Sequence, residues 1–378
     1  MATALTATDA AGLRRRFDER GGLTVGVEEE IMLLDPATLD LVPRVDELLR
    51  RLDGDPRFKP ELPAAQIEIV TAPHTTAGAV LAQLAAARHD LARAAGDEIA
   101  LAVAGAHPFA AEAGDLNSAP RYGAIREEYG IVAGRQLVTA LQVHVAIGGA
   151  DRSLAVYNAL RCHLPEILAL AANAPYQGGV DTGLATVRPA VCLQLPRQGV
   201  PPHLHSWEQF AGELAWGARA GSLADPSRWW WELRPHPVHG TLELRVPDAQ
   251  TTVAEAAGIV AFVQALCARL ADQVDAGKPV PAPPTWRIAE NRWSAMRYGV
   301  EGMLADLRSG ERRPTRERLE ELVDEVAPYA QRLGCADLLD STRELVVRNG
   351  ALRQREVAHR QGAYGLLEWM RGQFLTGL

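Results

Sequence analysis

Four segments far apart in the chain alternate apolar and polar residues with the two-residue period of a half-buried β-strand: Val25 to Leu33, Gln66 to Thr71, Leu141 to Ile147 and Thr241 to Val246. In the first, Val25, Val27, Ile31 and Leu33 share one face with an out-of-place Glu29, while Glu28 and Glu30 project from the other beside Gly26. In the second, Ile67 and Ile69 oppose Gln66 and Glu68. Leu141, Val143, Val145 and Ile147 oppose Gln142 and His144, and Leu242, Leu244 and Val246 oppose Thr241, Glu243 and Arg245. A sheet of these strands has one apolar face for helices to cover and a second face that gathers acids, a histidine and an arginine. On one strand alone such polarity would be ordinary solvation. Its recurrence on four strands, with acids prevailing over Lys and Thr, makes the second face a candidate active site. Carboxylate oxygens with one imidazole suit Mg²⁺ or Mn²⁺, which often bind together with substrate phosphates.

The remaining pattern is largely helical. Thr75 or Thr76 can cap an alanine-rich helix that runs to about Ala95 and stops at Gly96. Leu101 to Ala106 reads as a further buried strand, ended by His107-Pro108. Asp151 is placed to cap a helix toward Ala172 that Pro165 interrupts. Ser206 with Gln209 and Thr252 with Glu255 fit capping boxes for helices over 207–219 and 253–276. Apolar helical stretches follow over about 287–308 and 315–375. Between them, the irregular segment Asn173 to Pro189 brings Gly178, Gly179, Asp181, Thr182 and Arg188 into play as ligand contacts, and Arg234 follows a tryptophan cluster, flanked by Pro235. Residues 1–20 read as a poorly ordered lead and 21–378 as a single domain whose C-terminal part, from about 287, is helical.

Composition narrows the chemistry. The 378 residues are 47% hydrophobic and 23% charged, and the formal net charge is -8. No basic run gives the electrostatic footprint of a nucleic-acid binder, so a small polar substrate is the better expectation. No uninterrupted apolar run has the ~20 residues of a bilayer span, and no secretory signal opens the chain. Cys162, Cys192, Cys267 and Cys335 form no Cys-x-x-Cys pair and suit buried thiols in a reducing cytoplasm. Lys59 and Lys278 are the only lysines, neither sits in a phosphate-binding Gly-x-x-x-x-Gly-Lys loop, and each borders a proline. Phosphate handled here falls to arginines and metal. A symmetric homodimer is the oligomer to expect first, although no interface signature carries it.

An ordered set of motifs then identifies a family. Gly26-Val27-Glu28-Glu29-Glu30, Glu68-Ile69-Val70-Thr71, Gly105-Ala106-His107-Pro108-Phe109, Arg121-Tyr122, Val143-His144-Val145, Asp181-Thr182-Gly183, Trp231-Glu232-Leu233-Arg234-Pro235, Gly240-Thr241-Leu242-Glu243-Leu244-Arg245 and Arg297-Tyr298-Gly299 occur in sequence. The chain resembles the bacterial carboxylate-amine ligases of the glutamate-cysteine ligase type 2 family, from about Leu23 to about Gly310. The resemblance implies an α+β fold related to glutamine synthetase and guanidino kinases, a curved antiparallel sheet with helices on one face and ATP and metal on the other. It also implies ATP-dependent amide formation through an acyl phosphate, with weak glutamate-cysteine ligase activity. On it, Glu28, Glu30, Glu68, His144 and Glu243 coordinate Mg²⁺ or Mn²⁺. Arg245, Arg234 and Arg188 meet phosphate or the acyl-phosphate intermediate, and Gln142 and Arg297 meet the nucleotide.

The chain departs from relatives of that kind at several positions. Gln142 stands where they have a histidine, Glu232 where they have Asp, His236 where they have Ser, Val238 where they have His, and Arg287 follows Trp286 where they have a Trp-His pair. Gln142 keeps an oxygen but loses a basic nitrogen. Altered substrate choice follows from these changes. Two other classes fit the same residues: a kinase-like phosphotransferase with no amine step, and a non-catalytic nucleotide-binding regulator. Four converging acids repel one another unless cations compensate, which favours catalysis.

Overall fold

The alternating segments pair as strands of one antiparallel sheet in the computed structural model, which describes residues 9–223 and 225–376. Its strands are β1 (Val25–Leu34), β2 (Phe58–Pro60), β3 (Gln66–Val70), β4 (Ala100–Ala102), β5 (Leu141–Val145), β6 (Leu233–His236) and β7 (Thr241–Leu244). They lie in the order β2-β3-β1-β5-β7-β6, and β4 pairs with the far end of β1. Register sets the polar face. Glu30 lies opposite Glu68, Glu28 opposite Gln142, Gly26 opposite His144, His144 opposite Glu243, and Glu243 opposite Arg234.

Helices α1 (Ala10–Asp18), α2 (Ala77–Ala95), α3 (Ala150–Leu160), α4 (Val253–Asp275) and α5 (Gly350–Gln373) frame this sheet. Thr76 caps α2 by accepting from the Ala79 amide at 3.2 Å, and Thr252 and Glu255 form a complete capping box on α4. The box at Ser206 is only half made, because the Gln209 carbonyl accepts from the His205 amide instead. Helices α2, α3 and α4 cover the apolar face, where Val27, Ile31, Ile67, Ile69 and Val143 are all buried. Glu29 sits among them because Arg88 of α2 donates to both its oxygens, at 2.6 and 2.8 Å. The same guanidinium donates to the carbonyls of Gln250, Thr251 and Phe374. Helix α4 has the length and apolarity of a membrane span, yet 89% of its apolar window is buried inside the fold.

Several expectations are corrected. Residues 10–18 are not part of a disordered lead: they form α1, which buries Leu13 and Phe17, while residues 1–8 of that expected lead lie outside the described residues. Asp151 does not cap α3. The Asp18 carboxylate of α1 takes the Ala150 amide at 2.7 Å, and Asp151 pairs with Arg14. The strand expected over 101–106 is confined to Ala100–Ala102, after which Gly105 runs against Asp248, whose carboxylate leaves no room for a Cβ. The helix expected to run to about 308 stops at Tyr298, where Gly299 turns left-handed (φ 55°) before a hairpin of Met303–Ala305 and Arg312–Pro314. At the far end of β1 the even-numbered side chains turn apolar at Met32 and Leu34, and α5 packs over them with Leu366, Leu367 and Met370.

Candidate active site

Glu243 is the hinge of the polar face. Its side chain is wholly buried, and each oxygen accepts a guanidinium: Oε2 from Arg234 Nε and Oε1 from Arg245, both at 2.5 Å. Burial alone would raise its pKa, but Arg234 and Arg245 more than offset this and hold the group well below the usual carboxylate range. Glu243 is therefore an anion in the folded protein. His144 Nδ1 lies 3.0 Å from the Thr241 hydroxyl, and its Nε2 is a buried atom with no hydrogen-bond partner among the described residues. That nitrogen is 3.6 Å from Glu28 Oε1 and 4.0 Å from Glu243 Oε2. Glu28, His144 and Glu243 thus offer ligand atoms all within 4.8 Å of one another.

A second acid cluster lies alongside. Glu30, Glu61 and Glu68 also bring carboxylate oxygens within 4.8 Å. Burial, then the neighbouring charge of Glu61, pushes Glu30 up to about 7. Burial, then Glu28, Glu61 and Glu30, pushes Glu68 well above the ordinary range. Such mutual repulsion is what a cation removes. Glu30 accepts from the Ala140 amide at 2.7 Å and from the Gln142 amide nitrogen at 2.9 Å. The Gln142 carbonyl in turn accepts from Arg245. Gln142 is therefore a bridge between Glu30 and the Arg245–Glu243 pair, using an acceptor and a donor that one neutral imidazole could offer only from opposite ring edges.

These groups line a cavity of about 380 Å³ together with Lys59, Glu61, Arg121, Tyr122, Arg228 and Trp230. A second cavity of about 490 Å³ adjoins it, and Glu28 lines both. Of the residues expected at the site, Glu28, Glu30, Glu68, Gln142, Arg188, Arg234 and Arg245 line the first cavity and His144 the second. Glu243 lies beneath them, reaching the face through its two arginines. Arg188 is spent mostly on structure: it donates to the carbonyls of Arg245 and Val246 and lies 3.5 Å from Asp248. Arg297 is not brought to the face. Its guanidinium donates to the Gly183 carbonyl and lies over the Tyr298 ring. Asp181 pairs with Arg355, and neither Asp181, Thr182, Gly178 nor Gly179 lines either cavity. Glu232 is bound to Arg292.

Sequence reasoning missed Glu61 and His239, and took His236 only as a departure from the family pattern. Glu61 lies in a proline-bounded turn outside every alternating strand, so periodicity carries no signal for it; only its place after Lys59-Pro60, at the edge strand, could have. His236 and His239 stack 4.2 Å apart, with His144 at 5.6 and 5.7 Å. His236 Nδ1 accepts from the Val238 and His239 amides, and burial pushes its pKa down to about 2, so this imidazole is neutral with its proton on Nε2.

With the geometry in hand, the comparisons bear on it. The model of glutamate-cysteine ligase family 2 matches residues 24–372. A Rubrobacter xylanophilus protein provisionally named glutamate–cysteine ligase 2-3 is 38% identical over 358 residues, covering 93% of this chain and 96% of its own length. A Thermobifida fusca protein provisionally named glutamate–cysteine ligase 2 is 36% identical over 355 residues, covering 92% and 89%. Among solved structures, a Francisella tularensis glutamate–cysteine ligase in complex with AMP superposes with a TM-score of 0.67 at 12% identity, covering 93% of this chain and 89% of that one. A bifunctional glutathione synthetase from Pasteurella multocida does so with a TM-score of 0.67 at 13% identity, covering 97% and 54%.

Proposed function

The chain belongs to glutamate-cysteine ligase family 2 and is a carboxylate–amine ligase, and from that premise we propose that it forms an amide from a carboxylic acid and an amine at the expense of ATP, through an acyl phosphate, with glutamate and cysteine as a weakly used pair. The observation that carries this reading is the sheet face itself: two carboxylate clusters flank a buried Arg234–Glu243–Arg245 array at the wall of one charged cavity. The donor set fits divalent cations. Both clusters are rich in oxygen, Glu30 and Glu68 repel their neighbours, and the unpartnered His144 Nε2 points at Glu28 and Glu243. Glu28, His144 and Glu243 would hold one Mg²⁺ or Mn²⁺ and Glu30, Glu61 and Glu68 another. Bound there, such ions neutralise phosphate charge as it develops.

The chain's own residues account for the rest. In the first step an oxygen of the acid attacks the γ-phosphorus and ADP leaves; in the second the amine attacks the acyl carbon and phosphate leaves. Phosphoryl transfer asks mainly for positioning and charge neutralisation. Glu243 fixes Arg234 and Arg245 in the wall of the cavity, where their positive charge orients the transferred phosphoryl group and the acyl phosphate. Gln142 holds Arg245 to the Glu30 side. Arg188 secures the strand end that carries Arg245. The unpaired cysteines suit action in the cytoplasm. Trapping tests the intermediate: with MgATP and pooled carboxylic acids, added hydroxylamine should yield a hydroxamate at the rate of ADP release. ADP release without hydroxamate would remove the acyl phosphate and favour a kinase-like reaction.

A further inference from the structure

The tryptophan cluster before Arg234 has no part in the chemistry described so far. Trp229 is buried against Phe210, with ring centroids 5.4 Å apart, and Trp231 packs on the core. Trp230 alone of the three lines the first cavity. The backbone on either side of it is tied to both site arginines. Arg234 Nη1 donates to the Trp229 carbonyl at 3.3 Å, and the Glu232 carbonyl accepts from the Arg245 amide at 2.8 Å. The indole is therefore held at a fixed place beside the groups assigned to phosphate.

The ring is braced by residues outside the cavity. Arg197 lies over it at 5.4 Å, the Tyr129 ring meets it edge-on at 5.7 Å, and Arg228 of the same loop pairs with Glu128. Arg197 Nη2 donates to the Tyr129 hydroxyl at 3.0 Å, and its Nε donates to the Arg228 carbonyl at 3.1 Å. Arg197 does so from a left-handed backbone (φ 60°), a conformation that a residue with a side chain holds only where its surroundings impose it. Glu128, Tyr129 and Arg197 do not line the cavity, so these contacts order the indole without filling the space. Ile125, one turn before Tyr129 on the helix Pro120–Tyr129, and Leu195, two residues before Arg197, do line it. An apolar, aromatic stretch thus interrupts a wall otherwise rich in charge.

We infer that Trp230, with Ile125 and Leu195, receives the side chain of the amine substrate, and that this amine carries an apolar, aromatic group. The inference deepens the proposed function and rests on it. The acid must lie along the sheet, because its carboxylate is phosphorylated beside Arg234, Arg245 and the carboxylate clusters. The amine comes to a floor already taken and meets the acyl carbon from the part of the wall that is not sheet, where the apolar stretch lies. A flat ring pairs with a preordered indole at little cost in ordering, and its burial removes apolar surface from water. Cysteine covers little of that surface, in keeping with glutamate and cysteine as a weakly used pair.

Internal competition in the full-length chain tests this. Phenethylamine and ethylamine are supplied together at equal concentration with MgATP and pooled carboxylic acids, and the two kinds of amide are counted by mass. Both amines draw on the same acyl phosphate, so the product ratio is independent of how fast it forms, and a general loss of activity leaves the ratio unchanged. Wild type should favour the phenethyl amides by about tenfold or more, the scale of burying one aromatic side chain. Trp230→Ala should lower that ratio by about fivefold or more, and Trp230→Phe should keep most of it. Ile125→Ala, at a half-buried helix position, and Arg197→Ala, which frees the ring, should each lower it by about twofold to threefold. A wild-type ratio near one, or a ratio that neither Trp230→Ala nor Ile125→Ala changes, overturns the amine subsite and leaves the ligase reading intact. Condensation of other amines but not of phenethylamine does the same. ADP and hydroxamate formation with no amide from any amine overturns the ligase reading instead.

Discussion

Replacing Glu243 by Gln should destabilise the protein through charge and not through shape. The side chain is fully buried and accepts one guanidinium on each oxygen at 2.5 Å. Gln keeps one acceptor, turns an NH₂ toward the other donor and removes the carboxylate charge between the buried Arg234 and the partly buried Arg245. Breaking a buried ion pair from one side costs about 3–5 kcal/mol, and two charge-assisted hydrogen bonds at about 1.5–3 kcal/mol each give a similar figure. Against a typical 5–15 kcal/mol of total stability this is a large loss. Glu28→Gln is the matched control. Glu28 retains 19% side-chain exposure, faces His144 at 3.6 Å and repels Glu68, so its neutralisation should move stability by no more than about 1 kcal/mol in metal-free buffer. Urea unfolding in a chelator, with equal slopes for all three proteins, reads both values. Saturating Mn²⁺ at a hundredfold excess over its dissociation constant should then add about 2.7 kcal/mol to wild type and much less to Glu28→Gln. A Glu243→Gln protein within about 1 kcal/mol of wild type, or a Glu28→Gln protein as unstable as Glu243→Gln, would refute the division of the face into an ion-paired anchor and an open ligand.

Further outcomes follow from other contacts. Gln142→Leu strands Arg245 and a Glu30 oxygen, and should cost about 1–3 kcal/mol in urea unfolding and slow turnover more than it changes substrate KM. Glu61→Gln removes one charge from the second carboxylate cluster, so Mn²⁺ titration should show one site weakened by on the order of tenfold with the other retained. Gly240→Ala forces a left-handed conformation costing about 1–2 kcal/mol and drives a Cβ into the Arg16 carbonyl; faster proteolysis before residue 22 is expected.

The sheet was legible because its signal is local. A period of two marks each strand, and the polar residues it set on one side, Glu28, Glu30, Glu68, Gln142, His144 and Arg245, do share one face. What alternation cannot carry is pairing. Glu29 looked anomalous because its partner Arg88 lies 59 residues away on a helix, and nothing local says that Glu243, expected as a metal ligand, is also held by two arginines. Arg297 belonged to a matching motif yet serves the Gly183 carbonyl, a contact between loops that no spacing encodes. The N-terminal helix escaped because its apolar pair, Leu13 and Phe17, is short and its cap on α3 runs through Asp18 to Ala150. Glu61 and His239 came from turns, where side-chain direction is set by tertiary contacts.

The central claim is that ATP cleavage here is coupled to joining an acid to an amine. The most direct test incubates the protein with MgATP, pooled amino acids and pooled amines, following ADP and product masses together. The account predicts an ATP-dependent product whose mass equals acid plus amine minus water, formed one for one with ADP and lost in Arg245→Ala. ADP release that is indifferent to amine, or tight MgATP binding with no condensed product from any pair, would contradict it.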